Sequence, residues 1–81
     1  MTDTERQVAQ ILMRELAVDT ESLSPDSPLF TSGLIDSFGM VELLVHVETA
    51  SGSTVDPSDL DLDDLDSIAK IAVLIDGLRE G

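Results

Sequence analysis

Three stretches of this sequence repeat apolar residues at the spacing of an α-helix, and that periodicity limits the fold more than any other feature. The first covers residues 3–16, where Val8, Ile11, Leu12 and Leu16 share one face. The second should begin at Asp36 or Ser37 and end before Gly52. The third covers residues 65–79, with Ile68, Ile71, Ala72, Ile75 and Leu78 on one stripe.

A shorter helix is expected between the second and third stretches. Asp56-Pro57-Ser58 is typical of a helix start with proline at the first position, and only about one turn follows it. Asp63 or Asp64 is expected to cap the last long helix. Strands are not expected, because aromatic residues make up 2% of the chain and no hairpin dipeptide separates alternating runs. The sequence therefore predicts an all-α bundle of four helices, three longer ones and a short third one.

The first connection is unusually long for so small a protein, with about twenty residues between the first two long helices. A loop of this length is expected to be functional or to be held by its own side chains. Pro25, Pro28 and Gly33 favour turns within it. Five apolar side chains are expected to hold the loop against the core: Leu23, Leu29, Phe30, Leu34 and Ile35.

Length and composition limit the class of protein. A chain of 81 residues with 42% hydrophobic residues is expected to form one folded domain over residues 1–81. The absence of cysteine excludes disulfides, thiolate catalysis and thiolate metal sites. The start of the chain lacks the pattern of a signal peptide, and no apolar run is long enough to span a membrane. We therefore expect a soluble cytoplasmic protein without membrane insertion.

The charge is strongly one-sided, with 4 Lys and Arg against 17 Asp and Glu and a net charge of −13. Such a chain would repel nucleic acid and anionic lipid, so neither is expected as a partner. Two interpretations remain open at this point: the acidic surface attracts basic patches on partner proteins, or it only confers solubility. No dedicated metal site is expected, because the Asp59–Asp64 run lacks the glycine and the final glutamate of an EF-hand loop.

The second long helix is apolar on two sides. At 100° per residue, Met40, Leu43, Leu44 and Val47 form one face. A second apolar group, Phe38, Val41 and Val45, lies roughly opposite and is flanked by Glu42 and Glu48. This pattern fits a central helix with neighbours on both sides. In a chain this small both faces are not expected to be buried in one core, so the pattern favours an exposed docking strip formed by Phe38, Val41 and Val45 and bordered by carboxylates.

A catalytic role is not supported by the candidate nucleophile and base. His46 is the only histidine, and on a helix it lies about 180° around and roughly 13 Å along from Ser37. It therefore cannot act as a base for Ser37 and is expected to be a solvated surface residue. Ile35 occupies the position where a nucleophile elbow has glycine. By position alone, Ser37 is most simply a helix cap, and no catalytic residue is assigned.

The segment from Asp26 to Glu48 nevertheless resembles a known family. Its core is Gly33-Leu34-Ile35-Asp36-Ser37-Phe38, followed by a Val-Glu-Leu helix, and it is similar to the signature of acyl and peptidyl carrier proteins. The likeness is strongest to freestanding D-alanyl carrier proteins and extends over nearly the whole chain. Two departures are Phe38 in place of the commoner leucine and Ser51 where an aromatic residue is frequent.

The resemblance implies that Ser37 carries a 4′-phosphopantetheine arm derived from coenzyme A, whose thiol holds an acyl or aminoacyl group as a thioester. It implies that Asp36 helps a phosphopantetheinyl transferase to recognise the site. The chain would be a non-catalytic, monomeric carrier loaded by an adenylating ligase or acyltransferase and unloaded by a downstream transferase or modular synthase. Partner docking is expected at Phe38, Val41, Glu42, Val45 and Glu48.

Two alternatives stay open beside an aminoacyl carrier. One is an acyl carrier protein of the fatty-acid or polyketide type. The other is an unmodified acidic domain that only docks basic partners. The sequence does not name the cargo, because cargo choice resides mainly in the partner enzymes.

Overall fold

A computed structural model describes residues 1–80, and their regular structure is entirely helical. Three α-helices run over Asp3–Glu15 (α1), Ser37–Ser51 (α2) and Ile68–Glu80 (α3). Two 3₁₀-helices, Pro57–Asp59 and Leu62–Leu65, lie between α2 and α3. The predicted all-α fold is therefore confirmed, with one difference in helix count: two 3₁₀ turns replace the single short third helix.

The first helix begins with a reciprocal cap. Thr2 Oγ1 accepts a hydrogen bond from the Glu5 N–H at 3.1 Å, and Glu5 Oε1 accepts one from the Thr2 N–H at 2.7 Å. This arrangement satisfies two of the N–H groups that a helix start leaves without partners. On the inner face Val8 and Leu12 are fully buried, so the cap fixes the start of a helix whose stability comes from core packing.

The second helix has the bounds that the sequence predicts. The Asp36 carboxylate accepts a hydrogen bond from the Gly39 N–H at 2.8 Å and caps the start. Gly52, with φ 73°, adopts the left-handed conformation that commonly ends a helix. Leu43, Leu44 and Val47 are buried, and the predicted inner face is therefore correct.

The third helix begins three residues later than predicted, and the expectation that Asp63 or Asp64 caps it is wrong. Ser67 Oγ accepts from the Lys70 N–H at 3.1 Å at the actual start. The Asp64 carboxylate instead accepts from the Asp61 N–H at 3.0 Å, within the second 3₁₀-helix. Asp66 lies between the two elements, and its side chain bonds to the first loop.

Asp66 holds the long first loop in place. Its carboxylate accepts hydrogen bonds from the N–H groups of Leu29, Phe30 and Thr31, at 3.1, 2.7 and 3.1 Å, and from Thr31 Oγ1 at 2.8 Å. Partial desolvation raises the pKa of Asp66, but the hydrogen bonds from Phe30, Thr31 and Leu29 lower it by more, so the pKa lies below its ordinary value. The loop is thus pinned by a carboxylate as well as by its apolar side chains.

The apolar side chains of the loop divide into two groups. Leu29, Phe30 and Ile35 are buried, as predicted, and Leu23 is half-buried. Leu34 is 50% exposed, so the expectation that it holds the loop against the core is wrong. Leu34 follows Gly33, whose positive φ of 85° turns the chain at this point.

One core joins all three α-helices and the loop. Its fully buried side chains are Val8, Leu12, Leu29, Leu43, Val47, Leu65, Ile68, Ile71 and Ile75. Arg79 of α3 adds a polar link, donating from Nη2 to the Ala50 carbonyl at 3.1 Å and to Gln7 Oε1 at 2.8 Å. Within residues 1–80, no helix is both long enough and apolar enough to cross a membrane.

Candidate functional site

Ser37 is the first residue of α2, and its side chain is exposed. The N–H groups of the first helical turn have no acceptor within the helix. Asp36 accepts from one of them, that of Gly39, which leaves the N–H groups of Ser37 and Phe38 at the same helix end. The partial positive charge of a helix start favours a phosphate group there. A phosphodiester on the Ser37 hydroxyl therefore fits this position sterically and electrostatically.

The residues just before Ser37 are held firmly. Ile35 is buried, and its N–H donates to the Leu29 carbonyl at 3.0 Å. Leu29 is in turn bound to Asp66 through its own N–H. This chain of contacts connects the start of α3 to the start of α2. The exposed residue Ser37 therefore follows a packed and hydrogen-bonded segment rather than a loop without contacts.

The second apolar face of α2 is on the surface. The strip formed by Phe38, Val41 and Val45 has exposed fractions of 73%, 59% and 54%. The interpretation of α2 as a central helix with both faces buried is therefore wrong. Glu42 lies beside the strip and is also exposed. An apolar row that starts next to Ser37 and is flanked by a carboxylate is the kind of surface that protein partners contact.

Glu48 and His46 are less accessible than the sequence suggests. Glu48 Oε2 accepts a hydrogen bond from the Val55 N–H at 2.7 Å, so this carboxylate ties the end of α2 to the following segment. His46 is partly buried, and its Nε2 lies 3.7 Å from Glu15 Oε2 of α1. The expectation that His46 is a solvated surface residue holds only in part, because its side chain is 31% exposed. Helical periodicity carries no information about these polar partners.

A groove beside Ser37 was not predicted. It has a volume of about 380 Å³. Asp36 and Phe38, which flank Ser37, line it together with the end of α1 and the loop residues Gly33 and Leu34. Gly39 also lines it. A Cβ at Gly39 would lie 2.6 Å from Ile35 Cγ2 and 3.3 Å from Leu16 Cδ2, so the close packing there requires glycine. The only advance signal for this groove was the glycine in the first turn of α2.

The acidic connector between α2 and α3 uses its carboxylates locally. Asp56 accepts from the Ser58 N–H at 2.9 Å and from Ser58 Oγ at 2.8 Å, and these two bonds lower the pKa of Asp56. Asp64 accepts from the Asp61 N–H. Across residues 1–80, no three His, Asp or Glu side chains are grouped so that they would hold a metal ion.

The comparison with protein families decides the class of this protein. The family described as "Phosphopantetheine attachment site" matches residues 6–75, which include α1, the long loop, α2 and most of α3. The chain belongs to this family. It is accordingly a non-catalytic carrier protein, and its cofactor is phosphopantetheine. Proteins of this class interact with phosphopantetheinyl transferases and with ligases in general.

Several relatives of this carrier protein are D-alanyl carrier proteins. It is 33% identical over 79 residues to "D-alanyl carrier protein 1" of Lactiplantibacillus plantarum, an alignment that covers 98% of both chains. It is 36% identical over 78 residues to a D-alanyl carrier protein of Streptococcus mutans, covering 96% of this chain and 94% of the relative. A D-alanyl carrier protein of Bacillus velezensis is 39% identical over 59 residues, covering 73% and 76%.

Proposed function

We propose that this protein is a single carrier domain, over residues 1–81, in which Ser37 bears the 4′-phosphopantetheine arm. The observation that carries this proposal is the exposed Ser37 hydroxyl at the start of α2, inside the span that the family covers. The Ser37 oxygen would form a bond to the pantetheine-bearing phosphorus of coenzyme A, and the adenosine bisphosphate would leave. Asp36, adjacent to Ser37 and fixed by the Gly39 N–H, would be part of the surface that the phosphopantetheinyl transferase reads.

The proposed cargo is an aminoacyl group, held as a thioester on the thiol of the arm. The D-alanyl relatives support this choice over a fatty-acid or polyketide cargo. The chain has no cysteine, so the arm supplies the only thiol. An adenylating ligase would load the carrier, and a downstream transferase would take the cargo. We further propose that the carrier is cytoplasmic and monomeric. The monomeric state is supported by the net charge of −13, which makes copies repel one another.

The strip Phe38, Val41 and Val45, with Glu42, is the proposed docking surface for these enzymes. Its support is the exposure of all four side chains beside Ser37. A partner would bury the apolar strip and present basic groups to the carboxylates. Glu48 contributes less than a free carboxylate would, because it already accepts from the Val55 N–H.

The attachment proposal is tested by intact mass after incubation with coenzyme A and a broad-specificity phosphopantetheinyl transferase. We expect one phosphopantetheine on the wild type and none on Ser37→Ala, with the circular dichroism of both proteins nearly equal. Ser22→Ala is the matched control, since Ser22 is an exposed serine of the first loop. Modification of Ser37→Ala, or no modification of the wild type by an active transferase, would refute the proposal and favour an unmodified interaction domain.

A further inference from the structure

The groove beside Ser37 combines several features that the attachment of the arm does not itself require. Two apolar residues line it and are exposed to solvent: Leu34, which is 50% exposed, and Phe38, which is 73% exposed. Its far end is the turn after α1, where Ala17 has φ 56°. In residues 1–80 this is the single non-glycine residue with positive φ. Ala17 directly follows the C-cap of α1, where a left-handed residue commonly ends a helix, and the Val18 N–H donates back to the Leu12 carbonyl at 3.0 Å.

Gly33 and Gly39, which have no side chains, are among the residues that line the groove. Gly39 has no Cβ, and this allows Ile35 and Leu16 to approach the first turn of α2 closely. Main-chain groups of Gly33 and Leu34 form the loop side of the groove. The Leu34 N–H has only a long contact of 3.5 Å to Ser32 Oγ, so it can donate to a better acceptor. A linear ligand with amides and short methylene segments would find both polar and apolar contacts here.

We propose that the pantetheine arm, with an aminoacyl cargo at its end, lies in this groove when no partner enzyme is bound. The inference rests on the proposed attachment at Ser37. Because Asp36 and Phe38 both line the groove, the arm would enter it directly from its point of attachment. Tethering replaces free binding with an intramolecular contact at high effective concentration, so even weak contacts suffice to populate the docked state.

The charge of the groove favours a cationic cargo. Glu15 and Glu42 line it and are exposed, and Asp36 stands at its entrance. Glu15 Oε2 also lies 3.7 Å from His46 Nε2, but the Glu15 side chain is still 50% exposed. The ammonium group of an aminoacyl thioester would be attracted to these carboxylates, whereas an uncharged acyl group gains nothing from them. The groove thus distinguishes the two cargo classes on the carrier itself.

Insertion of the arm into the helical core is disfavoured by packing. Val47 of α2, Leu65 at the end of the second 3₁₀-helix and Ile68 at the start of α3 are 0–1% exposed. An arm between these side chains would have to displace close-packed neighbours, whereas the groove is already open. The core is therefore the competing location that the experiment must separate from the groove.

The first test compares amide chemical shifts of the apo protein and of the protein carrying an unloaded arm. We expect changes at Leu16 and Ala17, which are remote from Ser37 in sequence, and at Leu34, which lies outside α2. Changes confined to Ser37 and its immediate neighbours would mean a free arm and overturn the proposal. Changes centred on Leu65 and Ile68 would place the arm in the core and overturn it equally.

The second test compares an alanyl arm with a propionyl arm, which differs by lacking the amino group. Both are attached as amide analogues, which do not hydrolyse during the measurement. We expect the alanyl arm to cause additional shifts at Glu15 and Glu42, and Glu42→Gln to reduce them. Glu21→Gln, an exposed change in the first loop outside the groove, should leave them intact. Equal spectra for the two arms would overturn the assignment of a cationic cargo.

The two proposals fail in different ways. If Ser37 is not the attachment site, intact mass shows no addition that depends on Ser37. If the mass is correct and the groove amides do not shift, attachment stands and the groove proposal alone is refuted.

Discussion

Two valines of α2 allow a matched comparison between the core face and the docking strip. Val45 is 54% exposed and Val47 is 0% exposed, and both lie in the same helix. Truncation to alanine removes two carbon groups, each worth about 0.8 kcal/mol when buried. At Val47 the transfer loss is therefore about 1.6 kcal/mol, and the cavity adds to it. Alanine returns about 0.5 kcal/mol through its higher helix propensity.

The net effects should differ clearly. Val47→Ala is expected to destabilise the fold by about 1–2.5 kcal/mol, which lowers Tm by about 5–20 °C in a domain of this size. At Val45 roughly half of the transfer loss applies, about 0.7 kcal/mol, and the helix propensity offsets most of it. Val45→Ala should therefore leave Tm within about 4 °C of the wild type.

Thermal melts followed by circular dichroism measure the first half of this prediction. The second half is the rate at which an adenylating ligase loads the holo protein at a temperature where both variants are folded. We expect Val45→Ala to slow loading and Val47→Ala to leave it near the wild-type rate. Equal losses of Tm at both positions would refute the assignment of two different faces. Unchanged loading by Val45→Ala would remove this residue from the docking surface.

Three further outcomes are expected. Gly39→Ala should destabilise the fold by about 1–3 kcal/mol, since its Cβ would meet buried Ile35. Gly77→Ala in α3 should stabilise the fold by about 0.5–1 kcal/mol, since nothing lies within 4 Å of that Cβ. Chemical denaturation measures both changes, and stability changes of the same sign would contradict the packing at Gly39. The pKa of Asp66 is lowered by folding, so its contribution to stability is present above the unfolded value of about 3.9 and is lost as pH falls through the folded pKa. Thermal melts between pH 7 and pH 3 should therefore show a loss of stability below about pH 4, and this loss should be smaller in Asp66→Asn. The same dependence of Tm on pH in the variant and the wild type would contradict this role of Asp66. The net charge is −13, so screening of charge repulsion should stabilise the fold. Raising the ionic strength from about 0.01 to 0.15 M shortens the screening length from about 30 to 8 Å and should therefore raise Tm. A Tm that falls or stays constant would contradict dominant repulsion between the carboxylates.

Local signals were sufficient to predict α1 and α2. Each has an apolar periodicity and a cap within a few residues of its start, and both features are readable from the sequence. The end of α2 at Gly52 was predictable for the same reason. The outward position of the strip Phe38, Val41 and Val45 followed from the angle between two apolar faces, once one face was assigned to the core.

The errors arose where residues distant in sequence interact. Leu65 continues the apolar stripe of α3, but Asp66 bonds the loop 35–37 positions away, and the helix begins only after it. Periodicity also gave no sign that Glu48 Oε2 accepts a hydrogen bond from the Val55 N–H, a contact that leaves the docking role of Glu48 a prediction. His46 likewise meets Glu15 of another helix. Hydrophobic periodicity reports which side of a helix is buried and does not report which polar partner a surface residue finds.

The groove beside Ser37 was beyond the reach of sequence patterns for a related reason. It is formed by the end of α1, the turn at Gly33 and the first turn of α2, three segments whose proximity depends on the fold. Leu34 was expected to be buried because it is apolar. Its exposure became visible only with the conformation of the loop that Asp66 holds.

Fragment mass spectrometry of the wild-type protein, after modification with coenzyme A and a phosphopantetheinyl transferase, tests the central claim most directly. The chain has nine serines, and the method assigns the modified one without altering any of them. The account predicts a single phosphopantetheine on the peptide fragment that contains Ser37, localised to that residue. Localisation of the phosphopantetheine to any other serine, or a modified protein in which Ser37 itself is unmodified, would contradict it.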